Sequence, residues 1–111
     1  MAKTDLNETL RARIDAIVSS KDTVLFMKGQ KLSPQCGFSA RVVQILGSLG
    51  ADFQDVNILA DPELREGMKV YSDWPTFPQL YYKGELVGGC DIVSDLAEKG
   101  ELQKLMGLKQ S

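Results

Sequence analysis

Only Lys83-Gly84 separates two β-rich runs, Gln79-Leu80-Tyr81-Tyr82 and Glu85-Leu86-Val87-Gly88. A connection this short joins strands that run in opposite directions, so the pair reads as an antiparallel hairpin. Earlier in the chain the linkage differs. Thr23-Val24-Leu25-Phe26-Met27 is short, apolar and rich in β-formers, and reads as a buried strand. Asp52-Phe53-Gln54-Asp55-Val56-Asn57 alternates and reads as a second strand. Between them, from Cys36 onward, Phe38, Val42, Val43, Ile45, Leu46 and Leu49 suit a largely buried helix that ends at Gly50. A strand–helix–strand unit followed by a hairpin gives an α/β chain with a four-stranded mixed β-sheet and helices on both faces.

The remaining segments fit around that sheet. Asp5-Leu6-Asn7-Glu8 has capping-box spacing, and Leu6, Leu10, Ile14 and Ile17/Val18 recur at helical intervals, predicting a first helix over about residues 5–20. Residues 28–34 read as a polar loop. Asp61-Pro62-Glu63 is a helix start, with Asp as N-cap and Pro at the first position, and that helix runs to about Ser72. Trp74-Pro75-Thr76-Phe77-Pro78 is a rigid loop. Asp91 caps a further helix from Ile92 to Lys99, Gly100 interrupts it, and Glu101 to Met106 form a last short helical turn. At 111 residues, 1–111 is a single domain without repeats or linkers.

Composition excludes several classes. The net charge of -2 comes without a basic block, so no nucleic-acid footprint is visible. The longest apolar runs fall far short of the roughly 20 residues of a membrane helix. The N-terminus lacks a secretory core and carries Asp5, Glu8 and Asp15, against an uncleaved transit peptide. Two cysteines are too few for a secreted disulfide framework. A reducing compartment is expected: the cytoplasm, bacterial in the first instance, with a trimmed plastid or mitochondrial form as the other option. Histidine is absent, which removes Cys-His pairs and every histidine metal site.

The chemistry concentrates at Cys36-Gly37-Phe38-Ser39. Cys36 opens a helix, whose N-terminus favours thiolate, and Lys28 and Lys31 in the preceding loop add positive charge. A serine stands where a dithiol site has its second cysteine. A hydroxyl takes no part in thiol–disulfide exchange, so the Cys36 thiolate must find its partner outside: a small thiol, another chain or a metal. Ser39 taken alone is also a residue type that bonds local backbone near a helix start.

Four blocks carry a resemblance over about residues 5–107: Lys28-Gly29, Cys36-Gly37-Phe38-Ser39, Trp74-Pro75-Thr76-Phe77-Pro78-Gln79-Leu80-Tyr81 and Gly88-Gly89-Cys90-Asp91-Ile92. In order and spacing the chain resembles the monothiol glutaredoxins of the CGFS type. Gln30 departs mildly, standing where members often carry threonine. The resemblance implies the thioredoxin fold, glutathione binding and a 2Fe-2S cluster shared by two chains. It implies Cys36 as active thiol and cluster ligand. Lys28, Arg65 and Lys69 would face the glycine carboxylate of glutathione. Phe77 would offer its main chain to the cysteinyl part, Pro78 would be a cis-proline, and Cys90 and Asp91 would hold the γ-glutamyl end. Read apart from the family, Cys90 stays open between a small core residue, a resolving thiol and a pocket wall. Trp74 stays open between core packing and loop anchoring, and Gly88-Gly89 between a bulge and a close approach of backbone to ligand.

Thiol count bears on mechanism. A 2Fe-2S cluster needs four ligands, mostly thiolates, and one chain with two cysteines and no histidine cannot supply them. If only Cys36 is accessible, a dimer supplies two thiolates and two glutathione thiolates would complete the set, which fits the homodimer that the resemblance implies, with a monomer as the apo form. The first expectation is a carrier that passes the cluster to iron–sulfur acceptor proteins. The resemblance adds BolA-type proteins as partners. The second expectation is a glutathione-dependent thiol–disulfide oxidoreductase, in which Cys36 attacks a glutathionylated protein. A redox or iron sensor is a third.

Overall fold

The structure, a computed structural model, describes residues 6–108. Its main sheet is built from β1 (Thr23–Met27), β4 (Gln54–Asn57), β5 (Gln79–Tyr82) and β6 (Glu85–Gly88), in the order β4-β1-β5-β6. β1 pairs with β4 in parallel, with Leu25 opposite Asp55, and antiparallel with β5, with Leu25 opposite Leu80. The hairpin between β5 and β6 turns at Lys83 (φ +51°) and Gly84 (φ +82°). Two successive positive φ values give the turn whose twist matches that of paired strands.

Among the described residues five α-helices cover the sheet: α1 (Glu8–Val18), α2 (Gly37–Ser48), α3 (Pro62–Ser72), α4 (Cys90–Glu98) and α5 (Glu101–Leu105). All five residues of β1 are buried, because the strand is central and covered on both faces. Val24 and Phe26 point to one side, where Ile14, Leu64 and Met68 of α1 and α3 close over them. Leu25 and Met27 point to the other, against Val42, Leu46, Val93 and Leu102 of α2, α4 and α5. Each such buried side chain contributes about 1.5–3 kcal/mol of hydrophobic stabilisation. The four-stranded mixed sheet with helices on both faces is therefore the one expected, and with a βαβ unit leading into a hairpin it is the thioredoxin fold.

Local chemistry sets the helix ends, in part differently from expectation. α1 starts at Glu8, where Asn7 Oδ1 accepts the Leu10 N–H at 2.7 Å; Asp5, the other half of the expected capping box, lies outside the described residues. Asp61 caps α3 as expected, accepting the Leu64 N–H at 3.1 Å, and forms an ion pair with Arg13. α4 starts at Cys90, two residues before the Ile92 start that an Asp91 cap would give. Gly89 is its N-cap, without a side-chain bond, and Asp91 sits inside the first turn, where its charge complements the helix dipole. Phe38, expected in the core of α2, is 64% exposed.

Residues 28–34 are not a plain loop. Gly29–Gln30 (β2) and Ser33–Pro34 (β3) pair as a small antiparallel ribbon. Side chains of β4 hold it: Asn57 Oδ1 accepts the Gly29 N–H at 2.9 Å, and Asp55 Oδ2 accepts the Lys31 N–H at 2.8 Å. The ribbon delivers the chain to Cys36, with the Gln35 N–H donated to the Lys28 carbonyl at 2.9 Å.

Candidate functional site

A cleft of about 520 Å³ opens where the end of β1, the start of α2, the 74–78 loop and the start of α4 meet. Lys28 and Cys36 form one wall, Thr76, Phe77 and Pro78 the floor, and Gly89, Cys90 and Asp91 the far wall. Phe38, Trp74 and Ile92 complete its rim. Six residues expected at a binding site (Lys28, Cys36, Phe77, Pro78, Cys90 and Asp91) thus share one cavity.

Cys36 occupies the N-cap position of α2 in an extended conformation (φ -152°, ψ 137°). The first N–H groups of a helix have no partner within it, and those of α2 face the sulfur. The Ser39 N–H does most to hold the Cys36 thiol below its ordinary value, with burial opposing and the Phe38 N–H, the Lys28 ammonium and the Ser39 hydroxyl adding to the effect. The sulfur closes no full cap hydrogen bond, so these groups act as dipoles and charges directed at it. Half-buried and free, Cys36 combines thiolate character with access. Lys31 takes no part. Its ammonium donates to the Phe53 carbonyl at 2.7 Å and lies 4.3 Å from the Phe53 ring centre, turned away from the thiol that it was expected to assist.

The floor is held from below by a residue with no assigned role in the sequence. Gln79 is fully buried, and its Nε2 donates to the carbonyls of Trp74 at 3.0 Å and Thr76 at 3.1 Å. The Phe77–Pro78 peptide bond is cis, as expected for Pro78. Trp74 anchors the loop at its other end, where its N–H donates to Ser72 Oγ at 3.1 Å. Its indole Nε1 is buried without a partner among the described residues.

The far wall depends on two glycines, and of the two readings of Gly88-Gly89 the bulge is observed. β6 has a register shift opposite Leu80 and Tyr81, with Gly88 at φ +148°. A Cβ on Gly89 would lie 3.3 Å from the Pro78 carbonyl oxygen and 3.4 Å from Trp74 Nε1, so the missing side chain lets α4 approach the loop. Cys90 is half-buried at the first position of α4 and packs against the core beneath, while facing the cleft.

Arg65 and Lys69 stand apart from these residues. They do not line the cleft, and each donates to Glu66 Oε2 at 3.3 Å on α3. Arg65 Nε is buried without a partner among the described residues. Thr76, Ile92 and Gln79 are the site residues that sequence reasoning left without a role; for Gln79 the only signal was its place directly after Pro78.

The arrangement can bind a small extended peptide carrying charge of both signs. The Lys28 cation, the Asp91 carboxylate and the Cys36 thiol, which is held below its ordinary value, all line the cleft. Among the described residues no three His, Cys, Asp or Glu side chains gather to hold a metal ion, and no helix is long and apolar enough to cross a membrane.

Comparison with known proteins agrees with this geometry. Residues 23–87 match the glutaredoxin family model. A probable monothiol glutaredoxin 2 of Rickettsia felis is 56% identical over 93 residues, covering 84% of this chain and 89% of the relative. A monothiol glutaredoxin ycf64-like protein of Synechocystis is 52% identical over 101 residues, covering 91% and 94%. The solution structure of reduced poplar apo GrxS14 superimposes with a TM-score of 0.79 at 56% identity, covering 88% of this chain and 90% of that one.

Proposed function

The chain belongs to the glutaredoxin family, on its monothiol branch, and on that premise we propose that it binds glutathione in the Cys36 cleft and, as a homodimer, carries a 2Fe-2S cluster to acceptor proteins. The observation that carries this reading is the ligand count at the cleft. It holds Cys36, half-buried and with its thiol held below the ordinary value, a buried serine at the position of a second thiol, and Cys90 as a further half-buried thiol, with no gathering of three His, Cys, Asp or Glu side chains among the described residues. A cluster needs four ligands, mostly thiolates, so at least half of them must come from outside the chain.

Glutathione suits the cleft chemically. Its glycine carboxylate meets the Lys28 ammonium, and its amino group meets Asp91. Its cysteinyl part lies along the main chain of Phe77 beside cis-Pro78. Arg65 joins Lys28 at the carboxylate once its contact with Glu66 opens. Two bound glutathiones and two Cys36 thiolates then hold the cluster between protomers. A cluster held half by a dissociable tripeptide exchanges readily, which is what a carrier requires. Apo protein is a monomer in this reading, and a BolA-type protein can replace one protomer. Two free cysteines suit a reducing compartment, the cytoplasm first among them.

Anaerobic reconstitution with iron, sulfide and glutathione tests the proposal. A coloured dimer is expected, lost in Cys36→Ala, lost when glutathione is omitted, and retained in Cys90→Ser. A colourless monomer would rule it out.

The depressed thiol favours a second reading, protein deglutathionylation. The Cys36 thiolate attacks the glutathione sulfur of a mixed disulfide and the protein thiolate leaves. A second glutathione thiolate then attacks the glutathione sulfur bound to Cys36, giving oxidised glutathione and free Cys36. Rapid turnover of a small glutathione mixed disulfide by apo protein would move the weight to this activity.

A further inference from the structure

Asn57 ends β4 directly opposite Met27, where β1 leaves the sheet and the chain enters the Lys28 segment. Its carboxamide oxygen has two lone pairs and accepts two backbone N–H groups, that of Leu59 at 3.0 Å and that of Gly29 at 2.9 Å. The first bond is the local cap of the short 3-10 turn Ile58–Ala60. The second is not local. It reaches 28 positions back along the chain, to a buried glycine at the root of the β2–β3 ribbon. The other tie from β4, Asp55 to the Lys31 N–H, holds the ribbon nearer its tip.

Lys28 is thereby held along its main chain. Its N–H is donated to Ser39 Oγ at 3.1 Å, its carbonyl accepts the Gln35 N–H at 2.9 Å, and the next N–H along the chain is the one bound to Asn57. From this fixed backbone the Lys28 side chain enters the cleft, whereas Asn57 does not line it. We infer that Asn57 is a positioning residue for the anionic end of the ligand: through Gly29 it fixes the root of the ribbon, and so sets the Lys28 ammonium where a carboxylate is received. A cation placed in advance leaves less to be ordered when the carboxylate binds. A neutral carboxamide makes both bonds without adding a charge that would oppose an anionic ligand. This role presupposes the proposed glutathione binding, but not the cluster.

The test titrates reduced apo protein with glutathione and with its glycine ethyl ester, which keeps the peptide and removes the carboxylate charge. Binding is read from the fluorescence of Trp74, the chain's single tryptophan, on the rim of the cleft. Asn57→Ala is expected to weaken glutathione about tenfold, the worth of one charge-assisted contact, and the ester by about twofold at most. In a Lys28→Met background the same change should cost glutathione no more than about twofold, since both residues act at one carboxylate. Equal losses for the two ligands, or an undiminished loss on top of Lys28→Met, would overturn the inference and leave Asn57 a residue of the fold alone. The unaltered chain gives a second reading that does not depend on the variants folding: glutathione should slow amide hydrogen exchange at Gly29 and Gln35, and the ester should not. Exchange at these amides that ignores glutathione would equally overturn it. An unaltered chain that binds no glutathione sinks the proposed function and this role together. Glutathione binding in which Asn57→Ala does not separate acid from ester sinks this role alone.

Discussion

The side-chain amide of Gln79 is bonded to the main-chain carbonyl of Trp74 at 3.0 Å, five residues back across the cleft floor. The same nitrogen reaches Thr76 at 3.1 Å, so one buried donor group fixes the loop that presents Phe77 and Pro78. The floor is thereby shaped before a ligand arrives, and preorganisation of this kind strengthens binding by reducing what must be ordered.

Replacing this amide separates floor from fold. Gln79→Leu keeps the volume roughly but leaves the part-buried carbonyls of Trp74 and Thr76 without their donor, and each lost hydrogen bond costs about 0.5–1.5 kcal/mol net. We expect urea unfolding to show a loss of about 1–3 kcal/mol from the two together. Glutathione affinity of the folded fraction should fall as well, measured by calorimetry. Unchanged affinity would mean that the loop holds its shape without Gln79.

The ribbon before Cys36 depends on one glycine. Gly29 has φ +91°, and a Cβ there would lie 2.6 Å from the Gln35 N and 2.7 Å from the Ser33 carbonyl oxygen. Neither atom can move aside as a flexible side chain would. Gly29→Ala therefore combines a disfavoured backbone with a clash. We expect a destabilisation of about 2–4 kcal/mol in chemical unfolding, in the upper part of the range for single substitutions. Gly37→Ala, with nothing within 4 Å of the added Cβ, is the control and should be nearly neutral.

These contacts show where sequence reading stops. β1, the Asp61-Pro62 helix start and the Lys83-Gly84 turn are legible because their signals are local: an apolar run, a cap with proline, and a pair that accepts positive φ. The ribbon is not, because Asp55 and Asn57 satisfy its backbone from a strand more than 20 positions away. Phe38 has the apolar character and spacing of a core residue, but the first turn of α2 overhangs the cleft, leaving it exposed. Cleft residues carried by short motifs came together as expected. Arg65 and Lys69 did not: both lie on α3 outside the cleft lining, each donating to Glu66.

The depressed Cys36 thiol links stability to pH with a definite sign. Its folded value lies below the ordinary value of 9.0, so the folded state favours the thiolate. The contribution is complete above the unfolded value and is lost as pH falls through the folded one. Wild-type protein under reducing conditions should therefore gain stability relative to Cys36→Ser as pH rises through that window. Parallel urea curves across the window check this. A difference that stays flat would show that folding leaves the Cys36 thiol unshifted.

Lys31 gives the sharpest contrast with Lys28, since both flank the same ribbon and carry the same charge. Lys31 spends its ammonium on the Phe53 carbonyl and ring, whereas Lys28 lines the cleft beside Cys36. At exposed separations solvent and salt screen a unit charge strongly, so proximity rather than net charge decides which lysine the thiol feels. Lys31→Met should leave the midpoint of Cys36 alkylation unchanged at physiological ionic strength. It should still lower stability by about 1 kcal/mol, as the Phe53 carbonyl loses its charged donor. Lys28→Met should do the reverse, raising the alkylation midpoint with little effect on unfolding. If both lysines moved the midpoint equally, the thiol would be responding to the overall charge of the ribbon and not to the Lys28 side chain.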